Sequence, residues 1–185
     1  VTMTKGTNAY VTGIYLGNGQ TSLTASDGLV ISAASGRHYN ITLTRNTIQN
    51  VSYGIVHYGC YISTRSLRDK NIFIGQTGAG NGNIIQNFGG GVASTSYGVY
   101  DKYADTLRIE NNTINNIGGG GVAHTTSLYG IYSYDVSGVC SYSNNNITLN
   151  NTTNDANWIY NYLFVYYLHD TIVINSNTFA GSVGS

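Results

Sequence analysis

Apolar residues recur along this chain as short apolar–x–apolar triplets, each placed after a polar turn: Ile41-Thr42-Leu43, Ile72-Phe73-Ile74, Leu107-Arg108-Ile109, Ile147-Thr148-Leu149 and Ile172-Val173-Ile174. Their starts are 31, 35, 40 and 25 residues apart. A second module follows most of them: Asn46-Thr47-Ile48-Gln49-Asn50-Val51, Asn83-Ile84-Ile85-Gln86-Asn87-Phe88, Asn112-Thr113-Ile114-Asn115-Asn116-Ile117 and a shortened Asn177-Thr178-Phe179. A third sets glycine before an inward aliphatic: Gly13-Ile14-Tyr15, Gly54-Ile55-Val56, Gly98-Val99-Tyr100 and Gly130-Ile131-Tyr132. The order of modules is kept from one repeat to the next.

Each module has the length of a three- or four-residue strand with one apolar face, too short to fold alone. Stacking the same module from successive repeats about 4.8 Å apart gives every backbone amide a partner and lines the aliphatics into ladders. Asparagine and glycine between modules suit sharp corners, where the backbone takes left-handed or otherwise restricted angles. No helical apolar stripe of useful length is present, and a β-sandwich calls for longer strands with hairpin signals. The pattern predicts an all-β, single-stranded parallel β-helix of about five turns, with loops inserted at its corners. Residues 20–36 fit the repeat poorly and are expected to form a lateral insertion.

The x-N-x-I-x-N-N-x-I-x-N texture followed by Gly-Ile-Tyr resembles the right-handed parallel β-helix repeat. That repeat is shared by pectate lyases, polygalacturonases, phage tailspikes and many bacterial surface proteins. The resemblance runs from about Tyr39 to Phe179, with a weaker turn in Val1 to Leu16. It implies the solenoid fold strongly and function weakly, because enzymes and inert stalks share it.

Composition narrows the function. The 185 residues include 24 Gly, 23 Asn and no Pro, and missing proline fits strands that lie between two others and need every N–H. Eight basic and eight acidic residues give zero net charge, which argues against a nucleic-acid partner. No apolar run approaches the roughly 20 residues of a transmembrane helix. The start, Val1-Thr2-Met3-Thr4, lacks the pattern of a signal peptide, and the chain reads as one segment, 1–185, cut from a longer repeat protein. Cys60 and Cys140 fall about two rungs apart in the repeat register, too far for a disulfide, and are expected to be separate buried thiols.

Candidate chemistry is sparse. Asp69, Asp105 and Asp170 each precede the first strand of a turn by two or three residues, where a carboxylate caps a backbone N–H. Asp101 and Asp135 follow the Gly-x-Tyr strand of adjacent turns; together with Arg108 they are the residues an enzyme reading would use. His38, His57 and His169 show no zinc spacing. His124 stands where the previous turn has Ser94, without an evident orienting acid. No catalytic residue, metal or cofactor is assigned.

The outside of the third module is richer. The residue after each inward aliphatic points out, which places Tyr15, Val56, Tyr100 and Tyr132 in one column, with Phe164 the next member. Trp158, Tyr134, Tyr160, Tyr166 and Tyr167 extend this aromatic surface, a candidate contact face for a sibling subunit, a flanking domain or a cell-surface glycan. Asp105-Thr106-Leu107 and Asp170-Thr171-Ile172 resemble the O-glycosylation motif of secreted Bacteroidota proteins, which makes Thr106 and Thr171 candidate acceptors. The expected function is a non-enzymatic structural or adhesive segment of an extracellular bacterial surface protein or filament. The alternatives are a carbohydrate-active enzyme fragment, lyase or glycosidase, and a glycan-binding module without catalysis.

Overall fold

The structure, a computed structural model, describes residues 11–17, 33, 36–89, 94–118, 124–152 and 159–183. The expected insertion at 20–36 falls almost wholly outside these residues. The chain is an all-β parallel solenoid of about four turns. Three five-stranded parallel sheets form its walls. The first wall stacks β1 (Thr12–Gly17), β4 (Tyr53–Tyr58), β7 (Ser96–Lys102), β10 (Leu128–Val136) and β13 (Tyr160–Leu168). The second stacks β2 (Tyr39–Leu43), β5 (Asp69–Ile74), β8 (Ala104–Glu110), β11 (Val139–Ser143) and β14 (Thr171–Asn175). The third stacks β3 (Thr47–Gln49), β6 (Ile84–Gln86), β9 (Thr113–Asn115), β12 (Asn146–Asn151) and β15 (Thr178–Val183).

The inward positions form vertical ladders. Ile48, Ile85, Ile114, Ile147 and Phe179 line the third wall, and Ile14, Ile55, Val99, Ile131 and Leu163 the first. Most members of the middle rungs have no exposed surface, so each contributes about 1.5–3 kcal/mol of apolar burial. Glycine is required where two walls meet. A Cβ on Gly98 would collide with Ile114 Cγ2 and the Gly130 carbonyl, so β7 can pass this close to the third wall only without a side chain.

One rung differs from the sequence expectation. Ile41, Ile72 and Leu107 are vertical neighbours, but Ile147 is not the next. That place belongs to Cys140, which pairs onward with Ile172, while Ile147 sits in the third wall above Ile114. Val139-Cys140-Ser141-Tyr142 fills the second wall with a thiol and a phenol ring instead of two aliphatics, so the triplet search passed over it. With the rung corrected, the advance becomes nearly even: 31 from Ile41 to Ile72, 35 from Ile72 to Leu107, 33 from Arg108 to Ser141 and 32 from Cys140 to Ile172. Both cysteines are buried and neither forms a disulfide, as the register implies.

Asparagine holds the corner between the second and third walls. Asn46, Asn83, Asn112, Asn145 and Asn177 stack as a ladder in which each Oδ1 accepts from the main-chain N–H and the Nδ2 of the asparagine one rung earlier, at 2.9–3.1 Å. Each Nδ2 from Asn83 onward also donates to a carbonyl of the preceding rung: Leu43, Ile74, Ile109 and Tyr142, at 2.7–2.8 Å. The amide side chain thus does at a bend what a strand pair does along a wall. Left-handed backbone at Asn40, Asn50, Asn71, Asn87, Asn111 and Asn144 accounts for much of the remaining asparagine, the non-glycine residue that tolerates this region best.

Replacing Asn112 by Ala removes both the acceptor of Asn83 and the donor to Ile74 inside the buried stack. With at least two buried polar groups left unpaired, at about 1–3 kcal/mol each, we expect about 2–5 kcal/mol lower stability in urea unfolding. Asn46→Ala, at the end of the ladder and partly solvated, costs less than Asn112→Ala. Equal losses at the two positions would contradict the ladder.

Candidate functional site

The corner between the first and second walls is polar where the other two are packed with aliphatics or asparagine. One inward column of the first wall reads Leu16, His57, Asp101, Ser133 and Val165 from rung to rung. Its apolar ends suit the interior, and its middle does not. His57 is the penultimate residue of β4 and Asp101 lies one rung above; both are completely buried. The chain leaves β4, makes a loop containing a single 3₁₀ turn at Arg65–Leu67, and re-enters the second wall at Asp69. His38 lies one rung below Asp69, immediately before β2.

These four side chains form one continuous chain of hydrogen bonds from the interior to the surface. Asp101 Oδ1 meets His57 Nδ1 at 2.6 Å, and His57 Nε2 meets Asp69 Oδ2 at 3.0 Å. His38 Nδ1 reaches the same Asp69 Oδ2 at 2.8 Å, and the His38 main-chain N–H donates to Asp69 Oδ1 at 2.9 Å. The His38 side chain is 36% exposed, while His57, Asp69 and Asp101 are shut away. Asp101 Oδ2 is buried with no hydrogen-bond partner among the described residues. Beside it lies the buried phenol of Tyr142.

Burial by itself would lower the His57 pKa, but hydrogen bonds and charge from Asp101 and then Asp69 outweigh it and raise the ring to about 9. Burial likewise would raise Asp69, yet its contacts with His57 and His38 hold it below the usual carboxylate range. For Asp101 burial prevails over His57 and pushes the carboxyl up. The chemistry is that of a buried imidazolium between two acids, or of a ligand set: His38 Nδ1, His57 Nε2 and an Asp69 oxygen lie within 4.8 Å of one another.

A second polar cluster bolts three rungs together. The loop after β4 carries Arg68, which is buried and whose Nη1 donates to the Asp135 carbonyl at 2.7 Å and to its Oδ1 at 2.9 Å. Arg65 Nη2 donates to His169 Nδ1 at 2.8 Å, which leaves the His169 Nε2–H for Asp135 Oδ1 at 2.7 Å. The loop therefore climbs across the outside of the corner and ties the second rung to the fourth and fifth.

The aromatic wall forms the outer face of the first sheet. Tyr15, Val56, Tyr100, Tyr132 and Phe164 are aligned as the sequence predicts. Tyr100 and Tyr132 stack at 5.2 Å with planes 2° apart, and Tyr132 and Phe164 at 5.0 Å and 13°. The middle of the column is not open to a partner, however: Val56 is fully buried and Tyr100 is 5% exposed. Flanking columns cover it, with Tyr53, Tyr97 and Tyr129 on one side and Tyr58, Lys102, Tyr134 and Tyr166 on the other. Lys102 Nζ lies 4.8–5.1 Å from the centroids of Tyr58, Tyr103 and Tyr134, a cation held within its own aromatic cage. Open surface remains at Tyr15, Tyr166 and Tyr167, and partly at Tyr132 and Phe164.

The other candidate residues are dispersed. Asp101 is interior, Asp135 is bound to Arg68 and His169, and Arg108 lies outside over the Phe73 ring, so these three share no cleft. Asp69 and Asp170 cap the backbone amides of His38 and Gly138 as expected, and Asp105 pairs with Lys70. His124 is tied to the Gly89 carbonyl and Thr126 and serves the fold. Thr171 is exposed and Thr106 partly so. Trp158 lies outside the described residues. His38 and His57 looked scattered in sequence because 19 positions separate them; the solenoid rise brings them onto one corner. No protein-family model matches this chain, and no significant match was found among curated proteins or solved structures.

A pH dependence follows from the buried imidazole. Its pKa is about 9 in the folded chain, against about 6.5 unfolded, so its contribution is complete below pH 6.5 and disappears as pH rises through 9. Asp69, held low, contributes in the opposite direction, with stability lost only as pH falls below about 4. The thermal midpoint of chelator-treated protein should therefore fall between pH 6.5 and 9. A midpoint that rises over this window would contradict a charged His57.

Proposed function

We propose that the chain is a non-enzymatic structural and adhesive segment of a secreted β-helical protein, displayed at a bacterial cell surface or assembled into a filament. The observation that carries this reading is the regular stack of rungs itself: three parallel five-stranded walls around one continuous aliphatic core, with an outer aromatic face stacked from rung to rung.

The dispersal of Asp101, Asp135 and Arg108 supports the non-enzymatic side of the proposal, because acid–base or metal-assisted cleavage of a polysaccharide needs such groups around one bond. Adhesion rests on the exposed part of the aromatic wall. Tyr132, Phe164 and Tyr166 form a row of rings 5.0–6.0 Å apart whose uncovered parts suit a sibling subunit, a flanking domain or the apolar face of a sugar. Carriage of glycans on Thr106 and Thr171 belongs to the same extracellular reading.

Sedimentation of the purified chain across a concentration series tests the proposal. We expect reversible self-association with an unchanged β-sheet spectrum. A chain that stays monomeric at all concentrations would remove the filament reading. Release of reducing or unsaturated sugar ends from polysaccharides would overturn the non-enzymatic one.

A further inference from the structure

We propose that the polar corner is a binding site for a single divalent transition ion of the zinc class, ligated by His38 Nδ1, His57 Nε2 and Asp69 Oδ2. Three features of the structure meet the requirements of such a site. The donor set is two imidazoles and one carboxylate, the combination that suits Zn²⁺, Co²⁺ or Ni²⁺ far better than Ca²⁺ or Mg²⁺, which take oxygen ligands. The three donor atoms are already gathered within 4.8 Å, with the Asp69 oxygen 2.8 and 3.0 Å from the two nitrogens. Tetrahedral ligands at about 2.0–2.1 Å from a metal stand about 3.3 Å apart, so the two short pairs need open by only a few tenths of an ångström.

The second feature is the group behind the ligands. A metal-bound histidine ordinarily gives its other ring N–H to a carboxylate, which fixes the tautomer and aims the ligating nitrogen. Asp101 is placed for this task, its Oδ1 2.6 Å from His57 Nδ1, on the far side of the ring from Asp69. Asp101 is a positioning residue; it touches no metal. Its depth in the polar middle of the column contrasts with the apolar Leu16 and Val165 at the column's ends.

Access is the third. His38 is more than a third exposed and forms the outer lip, so an ion can enter from solvent, and a water can complete its coordination there. Charge also balances. Two carboxylates, Asp69 and Asp101, neutralise a divalent ion. On binding, the ion takes the place of the proton on His57 Nε2, that proton leaves to solvent, and His57 Nδ1–H stays with Asp101. At His38 the ring proton moves from Nδ1 to Nε2. The ion would then link three successive rungs, holding His38, the His57–Asp69 pair and Asp101 in one cluster. This inference is independent of the adhesive reading, since an inert rod and an active one accommodate the same site.

Calorimetric titration of chelator-treated protein with Zn²⁺, and separately with Co²⁺ and with Ca²⁺, provides the test. We expect one Zn²⁺ or Co²⁺ per chain, a thermal midpoint raised by the ion, and no matching effect of Ca²⁺. His38→Ala lies at the exposed lip, so the fold survives it, and it should weaken Zn²⁺ binding at least tenfold. Asp101→Asn should weaken it about 10–100-fold although it touches no metal. If that variant fails to fold, His38→Ala alone decides. No saturable binding of Zn²⁺ or Co²⁺, binding undiminished by His38→Ala, or an equal response to Ca²⁺ would each overturn the site.

Discussion

Everything in this molecule depends on the vertical register between rungs. A strand of three residues such as Thr47–Gln49 has no stability alone, and its inward Ile48 becomes part of a core only because Ile85 and then Ile114 stand above it. The walls enforce that register by main-chain pairing, but the corners decide it, since a bend has no strand partner to hold it. The asparagine ladder supplies the missing constraint. Each Asn Oδ1 takes the amide of the rung below, so a slip of one residue would break the side-chain stack and the aliphatic ladder together. One residue type thereby carries both the curvature of the chain and its alignment.

This division of labour explains which parts of the structure were legible in sequence. The asparagine corners and the glycines before Ile55, Val99 and Ile131 are demanded by backbone geometry, and few residues substitute for them, so they appear as a pattern. Ladder positions demand only apolar volume. Cys140 and Tyr142 satisfy that demand as well as Leu107 and Ile109 do, and a search for aliphatic triplets passed them by for Ile147. The tyrosine column was placed correctly because direction alternates along a strand. Its burial depends on the flanking Tyr97 and Tyr58 columns, which no single strand reveals. His38, His57 and Asp69 were invisible as a group for a different reason. Contact in a solenoid joins residues about one turn apart, and motif spacings learned on helices and hairpins do not contain that interval.

The two outer features of the first corner have different physical character. The Arg68–Asp135–His169 cluster is held from outside by a loop that spans several rungs, and Asp135 Oδ1 accepts from both Arg68 Nη1 and His169 Nε2. It resists the separation of rungs that a thin rod under load would undergo. The Lys102 cage is similar in kind: an ammonium enclosed by three rings and hydrogen-bonded to Tyr58 is held by its own chain. Both are accounted for by stiffness.

The inner column differs, because stiffness does not account for it. Taking two carboxylates and an imidazole out of water costs several kcal/mol per ion, and a well-packed apolar trio of similar volume is commonly as stable or more so. The solenoid already has the means to be apolar there, since Leu16 and Val165 occupy the same column one rung below and two rungs above the His57–Asp101 pair. A buried network kept for structure alone should also be fully matched, yet one oxygen of Asp101 has no partner among the described residues. What the arrangement gains is orientation: a ring fixed from behind, a carboxylate shared by two nitrogens, and an outer histidine that meets solvent. Those are the properties of a prepared ligand set, and they are what separates this corner from the loop and rings that brace it.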